Sequence, residues 1–449
     1  MAESVKVPRR ILHALIHSIS AGVVPRSGAP YIAIGRDEEI EALLRDLDTA
    51  AEGGSSMRFL IGKYGSGKSF LLQLMRDHAM SRGFLCCDAD LTPERRLSGS
   101  KGSGLATYRE LVRNLSSRAC PDGGALPQVI SRHLSLLQSE VAAGGLAPGS
   151  AEFLREMDKR LYELTARLEG QVGGFDFARV LSLWYRAERT EDDGLKSACL
   201  RWLRGEYKTR TEARRELGTG SIIDDDSWYD YLKLLAVFFR SIGYRGLLVL
   251  IDECVNLYKI PNRIARENNY EKILSIFNDT LQGRACGMAV ILGGTPQFLE
   301  DTRRGLFSYE ALRSRLSDGR YGKEQYRNML SPVIRLRRLG DNELLALINR
   351  LTVLHASYYG YESRVSEEER ITFLSDCLSR AGADVMITPR EIIRDYLMVL
   401  DILFQHPEMT FAQVLGSGSV TLSHPEPGEE AATAPSPSAS TVTLQDLVF

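Results

Sequence analysis

The segment Gly62-Lys63-Tyr64-Gly65-Ser66-Gly67-Lys68-Ser69 constrains this chain more than any other feature. It satisfies the pattern GxxxxGK[ST], and its flanks give the pattern meaning. Residues 57–62 (MRFLIG) read as a buried strand, and the run from Ser69 through Phe70 onward reads as an apolar helix. Glycines at such a strand-to-helix turn let successive backbone N–H groups point inward and surround phosphate oxygens. The helix N-terminus adds its dipole to the same point. In this reading residues 62–70 cradle a nucleotide polyphosphate. Lys68 reaches the β- and γ-phosphates, and the Ser69 hydroxyl ligates Mg²⁺.

A phosphate cradle of this kind needs a carboxylate partner. Residues 247–253 (LLVLIDE) supply one, an apolar strand ending in two acids where strand C-termini line a ligand crevice. Asp252 is expected in the Mg²⁺ shell. Glu253, one residue further out, is expected to orient and polarise the attacking water. The pair favours hydrolysis over nucleotide binding alone. Charge that builds on the phosphate in the transition state calls for arginine, with its planar and permanently charged fork. Arg315, in YEALRSRL, is the first choice, with Arg313 behind it, and Arg390, in TPREIIR, is a second position. Thr295, at the tip of the strand-like MAVILGGT, is placed to bond the γ-phosphate or the water.

The order strand, glycine loop, helix, strand (GFLCCDADL, 83–91) begins a βαβ unit and hence a parallel α/β sheet. YIAI (31–34) also reads as strand-like, and 105–119 as a helix. Residues 121–225 hold no good strand. There Phe153, Leu154, Met157, Leu161, Leu164 and Leu168 share one helical stripe, the signature of core packing. The expected organisation is an N-terminal helix and first half of the core over 1–120, a helical insertion over 121–225, and the second half of the core over 226–338. An all-α lid over 339–415 and a disordered tail over 416–449, rich in Ser, Pro, Ala, Gly and Glu, complete it.

Length and composition set the outer limits. A chain of 449 residues, 44% hydrophobic and 25% charged, has room for two to four domains and excludes collagen-like, wholly disordered and disulfide-stapled classes. The apolar run 247–251 is far short of the ~20 residues of a membrane span. The N-terminal apolar stretch is broken by His13 and His17 and makes a poor signal peptide. Seven cysteines without a CxxC fit a reduced, cytoplasmic protein, with no membrane partner. Net charge is only −2, but it is unevenly spread: no Lys or Arg follows Arg394, whereas residues 303–350 carry ten Arg and one Lys against five acids. That stretch is either a solvated helical face or a surface that meets phosphate, on a nucleotide or a nucleic acid.

In order along the chain, GRDEEIEALL, the glycine loop, LLVLIDE, ILGGT, LRSRL and TPRE resemble an AAA+ ATPase. The likeness is greatest to the branch holding the origin-recognition initiators and the STAND regulators. It implies that Ile34, Gly35 and Arg36 lie at the base, that Arg315 is a finger acting on a neighbouring subunit, and that Arg390 is the sensor in the lid. More narrowly, VPRRILHALIHSISAGVVPRSGAPYIAIGRDEEI, IGKYGSGKSFLL, RGLFSYEALRSRL and TPREIIRDYL resemble the ATP-binding proteins of BREX bacteriophage-exclusion systems, the BrxD-like group. That resemblance implies anti-phage defence, ATP with Mg²⁺, a homo-oligomer, and a helicase, other defence proteins and DNA as partners. About 180 residues separate Ser69 from Asp252, more than an AAA+ core requires. Two other classes of function remain open on the residues: a nucleotide-gated switch or scaffold with little turnover, and a DNA-binding adaptor.

Overall fold

The computed structural model describes residues 7–99, 102–169, 172–317, 327–379 and 388–417. Apart from its first two residues, the segment read as a disordered tail lies outside them. Along the chain, helix α1 (Arg9–Ser20) and α2 (Asp37–Ala51) precede strand β1 (Ser55–Ile61). Helix α3 (Lys68–Ser81), β2 (Leu85–Asp90) and α4 (Ser103–Arg113) follow. Five helices come next: α5 (Leu126–Ala143), α6 (Ala151–Glu169), α7 (Gly174–Thr190), α8 (Asp193–Leu203) and α9 (Arg210–Leu217). Then come α10 (Trp228–Ser241), β3 (Leu247–Asp252), α11 (Val255–Tyr258), α12 (Arg263–Leu281) and β4 (Met288–Gly294). After α13 (Pro296–Glu300), α14 (Glu310–Leu316) and β5 (Val333–Arg335), the chain closes with α15 (Asp341–Tyr359), α16 (Glu367–Ser379), α17 (Pro389–Gln405) and α18 (Phe411–Ser417).

The strands form one parallel sheet in the order β2-β3-β4-β1-β5. Successive side chains of a strand point to opposite faces, and both faces here are apolar. Phe59 and Ile61 of β1, with Leu247, Val249 and Ile251 of β3, enter one core. Leu60, Leu248 and Leu250 enter the other, under α2 and α3. The adjacent Cys86 and Cys87 divide between the two cores in the same way. Register brings Ile61 beside Gly294 and Asp90 beside Asp252, so the C-terminal ends of β1 to β4 share one edge.

Helices α5 to α9 have no separate core. Met157, Leu168, Trp184 and Trp202 are buried in the same cluster as the sheet residues, which extends the layer on that face. Leu12, Leu15, Ile16 and Ile19 of α1 instead pack with Leu347, Leu351, Tyr396 and Leu397 of α15 and α17 in a second core. The amino-terminal helix is thus part of the carboxy-terminal bundle.

Two readings of the sequence are corrected, and one strand is not read at all. YIAI is not a strand: residues Ala29–Ile32 form a 3₁₀ turn. Pro30 removes a backbone donor, Gly28 enters the turn at φ +88°, and Ile32 is drawn into the second core. The helix read over 105–119 ends at Arg113, because Ser116 exchanges backbone hydrogen bonds with Cys86 at the sheet. Strand β5, of three residues, is too short to show a period.

Helix α3 also half-buries Asp77, and loss of hydration pushes its carboxyl pKa up to about 6. A carboxylate with a raised folded-state pKa disfavours the fold in full above pH 6, and the penalty fades as pH falls toward the ordinary value near 4. Asp77→Asn keeps the oxygen that accepts from Gln73. It is expected to raise the melting temperature by ~2–4 °C at pH 7.5, with the gain vanishing near pH 4, as read by thermal denaturation across pH.

Candidate nucleotide-binding site

The loop after β1 turns sharply because Gly65 and Gly67 take left-handed backbone, at φ +72° and +89°. Helix α3 then starts at Lys68, and its first amides have no intrahelical acceptor. Ser66 Oγ is buried without a hydrogen-bond partner among the described residues. Donors with nothing to bond, around glycines with no side chain, fit a bound anion. Lys68 Nζ donates to the carbonyls of Gly62 at 2.9 Å and Lys63 at 3.1 Å. Burial pushes the Lys68 pKa down, while Asp252 and Glu253 pull it back up.

The acids from β3 reach the same point. The Ser69 hydroxyl donates to Asp252 Oδ2 at 2.6 Å, and the other oxygen accepts the Glu253 N–H at 2.8 Å. The space for this comes from Gly293 on β4, where a Cβ would lie 2.3 Å from Asp252 Oδ1. Glu253 sits at φ +56°, one of two non-glycine residues in left-handed backbone among those described. Strain of this kind costs of order 1–3 kcal/mol and is held only where the surroundings fix it. Asp252 is buried, whereas Glu253 lines an open cavity of about 230 Å³. Residues 64–70 floor this cavity. Its apolar wall includes Val24, Ile32, Ile34, Leu347 and Ile393, and Arg390, in the first turn of α17, closes another side.

Other expected residues fall in different places. Arg36 lines the cavity, but it is buried and committed to backbone: it donates to the carbonyls of Ser66 and Arg337, both at 2.8 Å. Glu39 pairs with it at 3.4 Å and with Arg327 at 2.6 Å, and Arg327 bonds the Arg335 carbonyl. Burial pushes the Arg36 pKa down, with Glu39 and Glu343 opposing. This buried cluster ties the glycine loop to the connector between β5 and α15. Gly35 is outside the cavity wall; at φ +69°, its Cβ position would meet Glu343 Oε1 at 2.5 Å. Thr295 caps α13, accepting the Phe298 N–H at 3.3 Å, and is not in the cavity wall. Arg315 is exposed on α14, donates to the Ala311 carbonyl, and is likewise outside it. Tyr64 is 73% exposed at the loop tip.

Sequence reading missed two contributors. Thr388 begins α17 with a capping box to Glu391, and its methyl lies 2.3 Å from the Cβ position of Gly65. The S/T-x-x-E pattern was the available signal. Asp90 ends β2 beside Asp252. Its pKa is raised by burial and then by the Asp252 charge.

The family model for the BREX system ATP-binding protein BrxC/D matches residues 7–419. The chain belongs to that family. No curated protein matches it. As a BrxC/D protein it is an ATP-binding protein of the BREX phage-defence system. No helix among the described residues of this BrxC/D protein is long and apolar enough to cross a membrane.

Arg36→Ala removes the tie between loop and connector and leaves Glu39 with one partner. It is expected to cost about 3 kcal/mol by chemical denaturation and to shrink the thermal stabilisation given by ATP.

Proposed function

We propose that this BrxC/D chain is a Mg²⁺-dependent AAA+ ATPase that couples ATP hydrolysis to the position of its carboxy-terminal helices. The observation that carries the reading is the 2.6 Å bond between Ser69 and Asp252 beside a Glu253 that lines the cavity. Hydroxyl and carboxylate oxygens suit a hard divalent cation, and Ser69 and Asp252 would hold it. A Mg²⁺ ion held there would supply positive charge to offset that of the phosphate oxygens. Lys68 exchanges its two loop carbonyls for the β- and γ-phosphates, while the amides of residues 65–69 and the Lys63 segment wrap them. Glu253 orients a water on the γ-phosphorus and accepts its proton as the bond to the ADP oxygen breaks. Thr295 assists at the water, and Arg390 reads the γ-phosphate from α17. The apolar wall at Ile34 takes the base, with Arg36 lining the cavity beside it and Gly35 shaping the edge from outside.

Arg315 faces solvent in its own subunit, which suits a finger inserted into the site of a neighbouring copy and hence a homo-oligomer. The strand order, with β4 between the loop-bearing β1 and the acid-bearing β3, supports the AAA+ assignment. In this reading residues 1–120 and 226–338 make the core, 121–225 the insertion, 339–415 the lid, and 416–449 a tail. The protein works in the cytoplasm with DNA, a helicase and other BREX proteins. The direct seat of Thr388 on Gly65 favours a second reading, a nucleotide-gated switch with little turnover.

Lys68→Ala is expected to abolish ATP-dependent thermal stabilisation. Glu253→Gln is expected to keep it while losing about 10²-fold or more of turnover; wild-type turnover in Glu253→Gln assigns the base elsewhere. Negligible turnover in the wild type, with ATP changing only mass or shape, selects the switch.

Arg315→Ala is expected to bind ATP without turning it over. Mixing it with Glu253→Gln subunits should restore part of the activity, since one shared interface then holds both intact groups. Full activity of Arg315→Ala alone rules the finger out.

A further inference from the structure

The stretch that sequence charge singled out, 303–350, spends much of its arginine on the protein itself. Arg304 donates to the carbonyls of Tyr258 and Ile260. Arg327 pairs with Glu38 and Glu39, and Arg335 with Glu300. A different surface keeps its charge outward. Residues 201–215, covering the end of α8, a turn and most of α9, hold six bases and two acids.

The packing sorts these charges by partner. Glu212 and Glu216 pair with Arg201, at 2.7 and 3.1 Å. Arg201 in turn lies 4.5 Å over the ring of Tyr207, which is buried and donates its hydroxyl to Glu216. Lys208, Arg210, Arg214 and Arg215 are left exposed on the outside. The first three have no acidic partner among the described residues, and Arg215 reaches Glu216 only at 3.8 Å. Two acids, Glu206 and Glu216, are exposed among them.

The turn that presents them is fixed. Tyr108 donates to the Leu203 carbonyl, Arg109 grips the Gly205 carbonyl with two nitrogens, and Thr209 caps α9. Among the described residues, no exposed large apolar side chain falls between Phe175 and Ile264. An interface with another folded protein needs an apolar centre, whereas a phosphate surface is polar and positive throughout. Arg210 and Arg214 are one helical turn apart, about 6 Å along the axis, close to two steps of the 3.4 Å charge spacing of a DNA strand.

We propose that the outward face of α9 and the turn before it, carrying Lys208, Arg210, Arg214 and Arg215, is a docking surface for the phosphate backbone of duplex DNA. This rests on the reading that the chain works on DNA, and it gives that reading an address on the insertion. The contacts are to phosphate and carry no base sequence.

The test is binding of a short fluorescent duplex of random sequence, titrated between about 50 and 200 mM salt. The full chain is compared with Lys208→Ala/Arg210→Ala/Arg214→Ala/Arg215→Ala and with Arg303→Ala/Arg350→Ala. The quadruple variant is expected to keep ATP-dependent thermal stabilisation and to lose at least about tenfold in affinity. The slope of log K against log salt should fall by about 3 to 4, near 0.9 per lost contact. The two-arginine variant should keep the wild-type slope. Equal binding and slope in the quadruple variant overturn the surface and leave DNA binding standing. No duplex binding by the wild type at ~50 mM salt overturns both. Wild-type binding to polyglutamate that the quadruple variant loses, with duplex binding unaffected, assigns the face to an acidic protein instead.

Discussion

A single hydrogen bond joins two parts of this chain that lie about 180 residues apart: the Ser69 hydroxyl on the Asp252 carboxylate, at 2.6 Å. Much else in the site is arranged around it. The parallel sheet sets β4 between β1 and β3, so a residue without a side chain is needed where Asp252 crosses, and Gly293 is there. Asp252 is held at its second oxygen by the next amide, and that hold accompanies the left-handed turn at Glu253. One acid is thereby buried against the loop while its neighbour faces the cavity. Two adjacent carboxylates thus occupy different environments, the precondition for different chemical tasks.

The strands and the loop were legible because their signals are local. Residues 57–62 and 247–251 are too apolar and too short to be anything but buried strands, and GxxxxGKS fixes its own geometry through its glycines. The same locality explains the failures. YIAI has the composition of a strand, yet the proline and glycine before it and the distant bundle that claims Ile32 decide its form. Ser116 leaves its helix because the edge of β2 offers it hydrogen bonds. Arg36 lines the cavity, but its partners, Ser66 and Arg337, are set by tertiary packing that no local pattern shows. Charge counting over 303–350 could not distinguish an arginine that meets solvent from one that ties down a carbonyl.

The helical stretch after α4 changes meaning once its packing is seen. A stripe of six apolar positions identifies a helix but not what it covers. Met157 and Trp184 belong to the core that also holds Val249 and Phe59, so this layer is part of the sheet's support. Its outer side is free to vary in charge without disturbing that core, and on α9 the acids pair with Arg201 while the bases stay exposed.

The pairing of α1 with α15 and α17 bears on how the molecule is made. Helix α1 leaves the ribosome more than 300 residues before the helices it packs on. Residues 22–25, which follow it, form part of the cavity wall, as do Pro389 and Arg390. During translation the glycine loop and its acids can assemble on the sheet well before that wall exists. Contacts of such long sequence separation form late and slowly. A nascent chain would therefore carry a phosphate cradle that is open on one side, and would gain a closed nucleotide chamber only once α15 and α17 have been made.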